Sequence, residues 1–232
     1  GRQRINLDDQ RFVGSVGWRQ NEQTFDAVRG EATLGPISFD GTYSWSQRTI
    51  FGIDAATRQA YSGEFLFLGA GATLGPVKLK AFSYLLDFDA KELVKGTSTQ
   101  TYGVRATSSF KLSPKSSLNL MASYATQSDY GLNPGDYSVD YIAAEAGLGY
   151  GNFTLTAGYE LLGGKITPNG RVAFQTPMAT LHKFNGWADL FLTTPTAGAN
   201  VGLLDIYGGL AVKFPKVKAL PGLNATVVYH DF

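Results

Sequence analysis

The sequence predicts an all-β fold, an antiparallel up-and-down transmembrane β-barrel with about 11 strands present. The clearest strand is Ile37–Ser46, in which Ile, Phe, Gly, Tyr and Trp alternate with Ser, Asp, Thr and Ser. Since successive strand residues point to opposite faces, this segment has one aromatic face and one polar face. It is long enough to cross a bilayer as a tilted strand, which needs roughly 9–11 residues. The pattern recurs along the chain, and the connections alternate between short and long, as in outer-membrane barrels.

The composition supports a barrel. Charged residues make up only 17% of the chain and aromatic residues 13%, whereas soluble domains carry about 25% charged residues. No apolar run reaches the length of a transmembrane helix. In a barrel half of each strand faces a polar lumen, so hydropathy stays modest. The net charge of +1 gives no electrostatic footprint for nucleic acid, and without cysteine there is neither a disulfide framework nor a thiolate metal site.

The turns set the strand count. Short turns are expected near residues 35, 75, 114, 151 and 218, and long connections near 18, 55, 94, 132 and 182. The segment Ala32–Pro36 recurs as Ala72–Pro76, which indicates a repeated hairpin. In Val77–Phe88 the aromatic residues fall in the same phase as the lysines, so we expect a β-bulge near Ala81.

The count also predicts what surrounds the chain. An odd number of strands does not make a complete bacterial barrel, and Phe232 is out of phase with the apolar residues before it. We therefore expect residues 1–232 to form a single outer-membrane β-barrel domain, incomplete at both ends, in the bacterial outer membrane. A propeller is disfavoured because the strands are too long for blades. A soluble sandwich or lipocalin would have to bury about eleven apolar faces.

The alternation assigns side chains to the two faces. We expect Tyr43, Trp45, Phe65, Phe110, Phe153 and Tyr159 to face lipid. Positively charged residues are expected to face the lumen at Arg2, Arg4, Arg29, Arg48, Lys78, Lys80, Arg105, Lys111 and Lys213. Negatively charged residues are expected there at Asp8, Glu31, Asp40, Glu64, Asp140, Glu145, Glu160 and Asp205. Such a set can brace the wall by cross-strand ion pairs or line a solute path, and the two roles are compatible.

Three stretches resemble one family of known barrels. They are Gly1–Arg29, Tyr84–Asp89 (YLLDFD) and Phe174–Pro195 (FQTPMATLHKFNGWADLFLTTP), and they are similar to the alginate-export family of outer-membrane porins. The resemblance implies a barrel of about 18 strands, of which this chain covers the middle. It also implies a charged lumen that passes anionic polysaccharide or other anionic solutes.

The third stretch lies in the longest connection, about residues 163–202, which we expect to lie outside or to fold into the mouth, with Asn200 reachable from outside. Thr176 followed by Pro177 is typical of a helix start, and Met178, Leu181, Phe184 and Trp187 recur at helical spacing. The segment is either a short helix on the rim or an in-folded plug. Its candidate constriction or cap residues are Thr176, His182, Lys183, Trp187 and Asp189.

Catalysis is not expected. The only histidines are His182 and His230, and nothing in the sequence brings a nucleophile and a base together. The acidic pairs Asp8–Asp9 and Asp87–Asp89 could bind Ca²⁺ but are more typical of solvated loops, so no metal or cofactor is expected.

The functional hypothesis is a channel for anionic oligosaccharide, polysaccharide or small anions, with membrane lipid as the other partner. The alternative is a plugged, non-conducting structural or docking barrel. The proposed path residues are Arg4, Arg29, Arg48, Arg105, Glu31, Glu64, Glu145 and Glu160.

Overall fold

Eleven strands form one antiparallel sheet in the computed structural model of the chain, which describes residues 1–92, 94–168, 170–196 and 201–232. The strands of this sheet are β1 (Arg2–Gln3), β2 (Thr24–Leu34), β3 (Ile37–Arg48), β4 (Ala60–Leu74), β5 (Val77–Phe88), β6 (Thr99–Ser113), β7 (Ser116–Asp129), β8 (Ser138–Tyr150), β9 (Phe153–Leu162), β12 (Leu203–Lys213) and β13 (Asn224–Asp231). A separate hairpin consists of β10 (Gly164–Thr167) and β11 (Gly170–Ala173).

Each strand of the large sheet pairs with the next one along the chain, except that β9 pairs with β12 across the small hairpin. In the described residues β1 and β13 do not pair with each other, so the sheet is open. The predicted count of eleven strands is confirmed. Asn200 lies outside the described residues.

Tight turns lie at one end of the sheet. Two residues join β2 to β3, β4 to β5, β6 to β7 and β8 to β9. Gly35 at the first of these turns has a φ of 61°, a left-handed conformation that glycine adopts without a steric penalty. The last turn, residues 214–223, is longer. The connections at the opposite end are 4–23, 49–59, 89–98, 130–137 and 163–202.

The two faces of the sheet differ in what covers them. We call the face that carries the buried side chains the inner face, and the opposite one the outer face. Two connections, residues 4–23 and 174–196, lie against the inner face and bury a largely aromatic and aliphatic core. Its fully buried members include Ile5, Val13, Phe25, Phe65, Phe67, Phe88, Tyr141, Leu162, Phe174 and Met178. The outer face exposes large apolar side chains, among them Val28, Tyr43, Trp45, Tyr102, Val104, Leu148, Phe153 and Tyr159.

One assignment of an aromatic residue to a face and one expected bulge are corrected. Phe65 is completely buried on the inner face, not turned to lipid, because β4 is apolar on both faces and its aromatic residues pack beneath the in-folded connections. The register of β4 with β5 runs without a break through Ala70 and Ala81, so the expected bulge near Ala81 is wrong. Phe82 and Tyr84 share the phase of the lysines because the core accepts them.

A bulge is found elsewhere. The register of β3 shifts between Ser44 and Ser46 against both neighbouring strands: Ala27 pairs with Ser44 but Asp26 with Ser46, and Phe65 pairs with Ser44 but Ser62 with Ser46. A bulge adds one residue to a strand and reverses which residues face inward beyond it.

Regular helix is scarce. The described residues hold 3₁₀ turns at Ile53–Arg58, Lys95–Thr97 and Leu181–Lys183. The helical spacing from Met178 to Trp187 predicted a helix, but this segment holds a single 3₁₀ turn at Leu181–Lys183. Its apolar side chains follow the shape of the inner face instead. None of the helices in the described part of the chain has the length and hydrophobicity to span a membrane.

Candidate functional site: the plugged inner face

Two in-folded segments meet on the inner face and form what we call the inner plug, residues 5–16 and 174–186. They run side by side at Val13 and Met178, which form a parallel bridge. The backbone N–H of Gly14 donates to the Met178 carbonyl at 2.9 Å, and that of Thr180 donates to the Gln10 carbonyl at 3.0 Å. The two segments therefore act as one body, although about 165 residues separate them in sequence.

Arg11 fastens the inner plug to the wall. Its Nε donates to Glu160 Oε1 at 2.7 Å and its Nη2 to Glu160 Oε2 at 3.1 Å. It also donates to Thr176 Oγ1 at 3.3 Å and to Asn185 Oδ1 at 3.1 Å. Only 2% of Arg11 and 6% of Glu160 are exposed. Burial is the largest single effect and lowers the pKa of the Arg11 guanidinium. The neighbouring acidic groups, chiefly the Glu160 carboxylate, together raise this pKa by more, so it lies above the ordinary value and the charge is retained.

A second carboxylate stands beside this contact. Asp205 on β12 is directly opposite Glu160 on β9 and is 1% exposed. Asn185 Nδ2 donates to both carboxylates, at 2.7 Å and 3.2 Å, and His230 Nδ1 lies 3.0 Å from Asp205. On neighbouring β8, Glu145 accepts a hydrogen bond from Tyr207 Oη at 2.6 Å. Strands β8, β9 and β12 therefore form an acidic side of the inner face.

Basic side chains follow β5 and β6. Lys80 Nζ lies 3.3 Å from Asp8 and 3.1 Å from Asp40, bridging the plug and β3. Arg105 Nη2 donates to Asp9 Oδ2 at 2.8 Å. Lys183, in the second plug segment, donates to the Asp9 carbonyl at 2.8 Å. Cationic groups thus converge on both sides of the first plug segment.

Two cavities border the plug. One, of about 340 Å³, lies between the second plug segment and strands β8 to β13, with Trp187, Tyr207 and His230 among its lining residues. The other, of about 390 Å³, lies on the side of the short turns and is lined in part by Lys78 and Lys80. Asp9 and Arg105 line both cavities. This ion pair therefore lies between the two cavities along the inner face.

The structure places five of the eight expected path residues on the inner face. Arg29 pairs with Glu31 at 2.8 Å, Arg105 pairs with Asp9, and Glu145 and Glu160 make the contacts described above. The cavities bring Arg105, Glu145 and Glu160 together, whereas Arg29 and Glu31 lie apart from them on β2.

The other three path residues are corrected to the outer face. Arg48 lies on the outer face because the register shift in β3 turns Gln47, rather than Arg48, toward the inner face. Arg4 alternates with buried Ile5, and its largely exposed side chain pairs with Glu22. Glu64 alternates with buried Phe65, since the core selects the aromatic phase of β4. Arg2 and Asp140 also lie on the outer face; Asp140 there accepts from Tyr124 Oη at 2.9 Å.

The expected cap residues divide between the plug and the surface. Thr176 is 8% exposed and contacts Arg11. His182 Nδ1 lies 2.8 Å from Asp189 Oδ1, and its ring packs 4.2 Å from the Trp18 ring. Trp187 is 60% exposed beside the larger cavity. In the described part of the chain no three acidic or histidine side chains converge as metal ligands do.

A family model described as Alginate export matches residues 1–176, which is three quarters of the chain. The chain belongs to the alginate export family. It is a β-sheet protein of the bacterial outer membrane. None of the curated proteins compared with it matches.

Solved structures with the same fold are outer-membrane porins. OpdL of Pseudomonas aeruginosa is 16% identical with a TM-score of 0.70, and the match covers 99% of this chain and 59% of that one. OccK8 (OprE) of the same organism is 14% identical with a TM-score of 0.68, covering 99% and 61%. OccK2 (OpdF), solved in complex with glucuronate, is 15% identical with a TM-score of 0.65, covering 99% and 59%. This alginate export family chain spans about three fifths of their length, and at these identities the likeness shows the fold alone.

Sequence reasoning about this family member missed the residues that hold the plug. Arg11, Asp9 and Asn185 lie in connections, where strand alternation says nothing. The available signal was the apolar Ile5 and Leu7 within a segment also rich in charge, because apolar residues in a long connection require something to bury them.

Proposed function

We propose that the complete protein is a passive channel for anionic solutes, and in particular for sugar acids. The observation that carries the proposal is the pair of cavities that share Arg105 and Asp9. A solute that follows the inner face passes from the space beside Trp187 to the space beside Lys80, and meets Arg105 between them. Fixed cations of this kind favour anions in pores.

Sugar acids fit the chemistry of this route better than simple ions do. Arginine binds carboxylates with two parallel hydrogen bonds, and Glu145, Asp205 and Tyr207 can accept or donate hydrogen bonds to hydroxyl groups. Trp187 offers an exposed ring. The glucuronate bound by the similar OccK2 structure agrees with this class, and a polyuronate would present the same group repeatedly.

A non-conducting barrel is the second candidate, and the inner plug favours it. Phe174 and Met178 are completely buried, and Arg11 holds both plug segments to the wall. In such a protein the plug would close the lumen, and the cavities beside it would hold only water.

Osmotic swelling of liposomes that contain the full-length protein separates these candidates. The channel admits glucuronate faster than neutral glucose, and Arg105→Gln lowers the glucuronate rate by about two- to fivefold, as expected for losing one partly solvated charge contact. The matched control is Arg4→Gln on the outer face, which leaves the rate unchanged. No swelling with either sugar would support the non-conducting barrel, and equal rates for both would exclude the anionic preference.

A further inference from the structure

An unexpected group of arginines lies on the outer face at the end of the sheet opposite the tight turns. The register shift in β3 lies beside this group, since Asp26 pairs with Ser46 and Ala27 with Ser44. It places Gln47 inward and turns Arg48 outward, whereas β2 keeps its regular alternation, with Phe25 and Ala27 buried and Asp26 outward. Bulges often re-aim a side chain in this way. The shift in β3 therefore brings a positive charge to a surface that is largely apolar.

Arg2 joins this group from the neighbouring strand. Arg2 pairs in register with Asp26, and its Nε and Nη2 donate to the two Asp26 oxygens, each at 2.9 Å. The pair orients the guanidinium while 52% of the Arg2 side chain stays exposed. Arg48 adds a second guanidinium, because it lies two residues beyond Ser46, the partner of Asp26, and pairs with Thr24. The group of Arg2, Asp26 and Arg48 therefore has a net positive charge.

The cationic side chains of this group are arginines rather than lysines. Seven of the nine arginines lie within the first 58 residues, and the first lysine is Lys78. Arginine presents a planar fork that matches the oxygens of phosphate, whereas lysine acts as a point charge. The exposed lysines Lys115, Lys216 and Lys218 lie at the opposite end of the strands.

The position of the arginine group in the membrane indicates which ligand binds it. The outer face here contacts lipid, and Tyr43 and Trp45, each 43% exposed, lie on the same strand as Arg48, with ring centroids 6.4 Å apart. Such aromatic side chains mark the level of the headgroups. The long connections of outer-membrane barrels lie outside the cell, so this corner meets the outer leaflet, where phosphorylated lipopolysaccharide is the main lipid.

We propose that Arg2 and Arg48, with Asp26 orienting Arg2, form a binding site for the phosphate groups of lipopolysaccharide on the outer surface of the barrel. The phosphate sits against the free edges of the two guanidinium groups, and the acyl chains follow the apolar side chains below Trp45. The site is separate from the lumen and does not depend on the transported solute.

Native mass spectrometry of the full-length protein in detergent tests this site. The probes are hexa-acylated lipid A with two phosphates and the same lipid without phosphate. The parent binds the phosphorylated lipid more tightly, and Arg2→Gln with Arg48→Gln weakens it by at least about fivefold, as expected when arginines near an anionic lipid surface are removed. Heat-dependent migration on a gel confirms that the variant is folded; if it is not, Arg2→Gln alone is used, since that side chain is largely exposed.

The matched control removes the same charge at the other end, with Lys115→Gln and Lys216→Gln, and keeps the parent affinity. Arg48→Lys keeps the charge and loses the fork, so its affinity falls between those of the parent and the double arginine variant. The proposal is overturned if the parent does not distinguish the two lipids, if the arginine variant binds like the parent, or if the lysine control loses as much affinity.

Discussion

Replacing Arg11 by alanine tests what holds the inner plug in the lumen. The change leaves the Glu160 carboxylate buried, facing Asp205 on the next strand without its cationic partner. Removing one partner of a buried ion pair typically costs about 3–5 kcal/mol. Since the pair joins the plug to the wall and is not part of the strand pairing, most of this cost should fall on plug docking rather than on the sheet.

Amide hydrogen exchange measures that cost locally. The amides of Gly14 and Thr180 are bonded across the two plug segments and exchange only when the plug opens. At about 1.4 kcal/mol per factor of ten, their exchange in Arg11→Ala should accelerate by about two to four powers of ten, while the amides of β7 stay protected. Arg4→Ala is the control, because its pair with Glu22 is exposed and contributes little.

The role of Arg11 in docking the plug is refuted if Gly14 and Thr180 keep their protection in Arg11→Ala. It is also refuted if the β7 amides lose protection to the same extent, because the contact would then stabilise the whole sheet. Arg11→Met with Glu160→Gln removes both charges and should restore part of the protection, since a buried pair without charge avoids the unpaired carboxylate.

Three further outcomes follow from the two faces. Ala157→Arg on the outer face should destabilise the protein in lipid vesicles by about 2–4 kcal/mol, measured by urea unfolding. Thr156→Arg on the inner face should destabilise it much less. Equal losses of stability would show that the assignment of the two faces is wrong. Gly158→Ala places a methyl group against the Tyr207 ring and should lower the free energy of unfolding by about 1–3 kcal/mol. Gly147→Ala should leave the stability almost unchanged, because the nearest atom to its added methyl group is 3.9 Å away. An unchanged stability of Gly158→Ala would show that Tyr207 is not held against β9. Cysteine in place of Trp187 should react with an impermeant maleimide on intact cells, and cysteine in place of Lys115 only after permeabilisation; the opposite pattern would invert the topology.

Strand alternation predicted most of the sheet because the outer face must be apolar. Tyr43, Trp45, Phe153 and Tyr159 lie where the pattern placed them. Alternation failed on β4 and β5, because both faces of these strands carry apolar or aromatic residues. The pattern then does not distinguish the face that contacts lipid from the face that packs beneath the plug. Phe65 was therefore assigned to the wrong face.

The candidate site was less accessible to sequence reasoning. Arg29, Arg105 and Glu160 were found because they lie on regular strands. Arg48 was misplaced by a bulge at Ser44–Ser46, which depends on pairing with neighbouring strands rather than on local sequence. Arg11 was missed because its partners come from a segment about 150 residues away, and a connection has no periodicity that could reveal them.

The charge preference of the pore depends on the fixed charges of its inner face. Arg29 and Arg105 lie on the inner face near the middle of their strands, where a fixed charge is screened less than at the rim. Glu31, Asp9 and the acidic side of the inner face partly neutralise them, so a mild preference is expected. The measurement is the reversal potential of the full-length protein across a KCl gradient in a planar bilayer. The expected potential is on the anion-selective side and moves toward cation selectivity when both arginines are changed to glutamate. A cation-selective parent, or a potential that these changes leave unmoved, would contradict it.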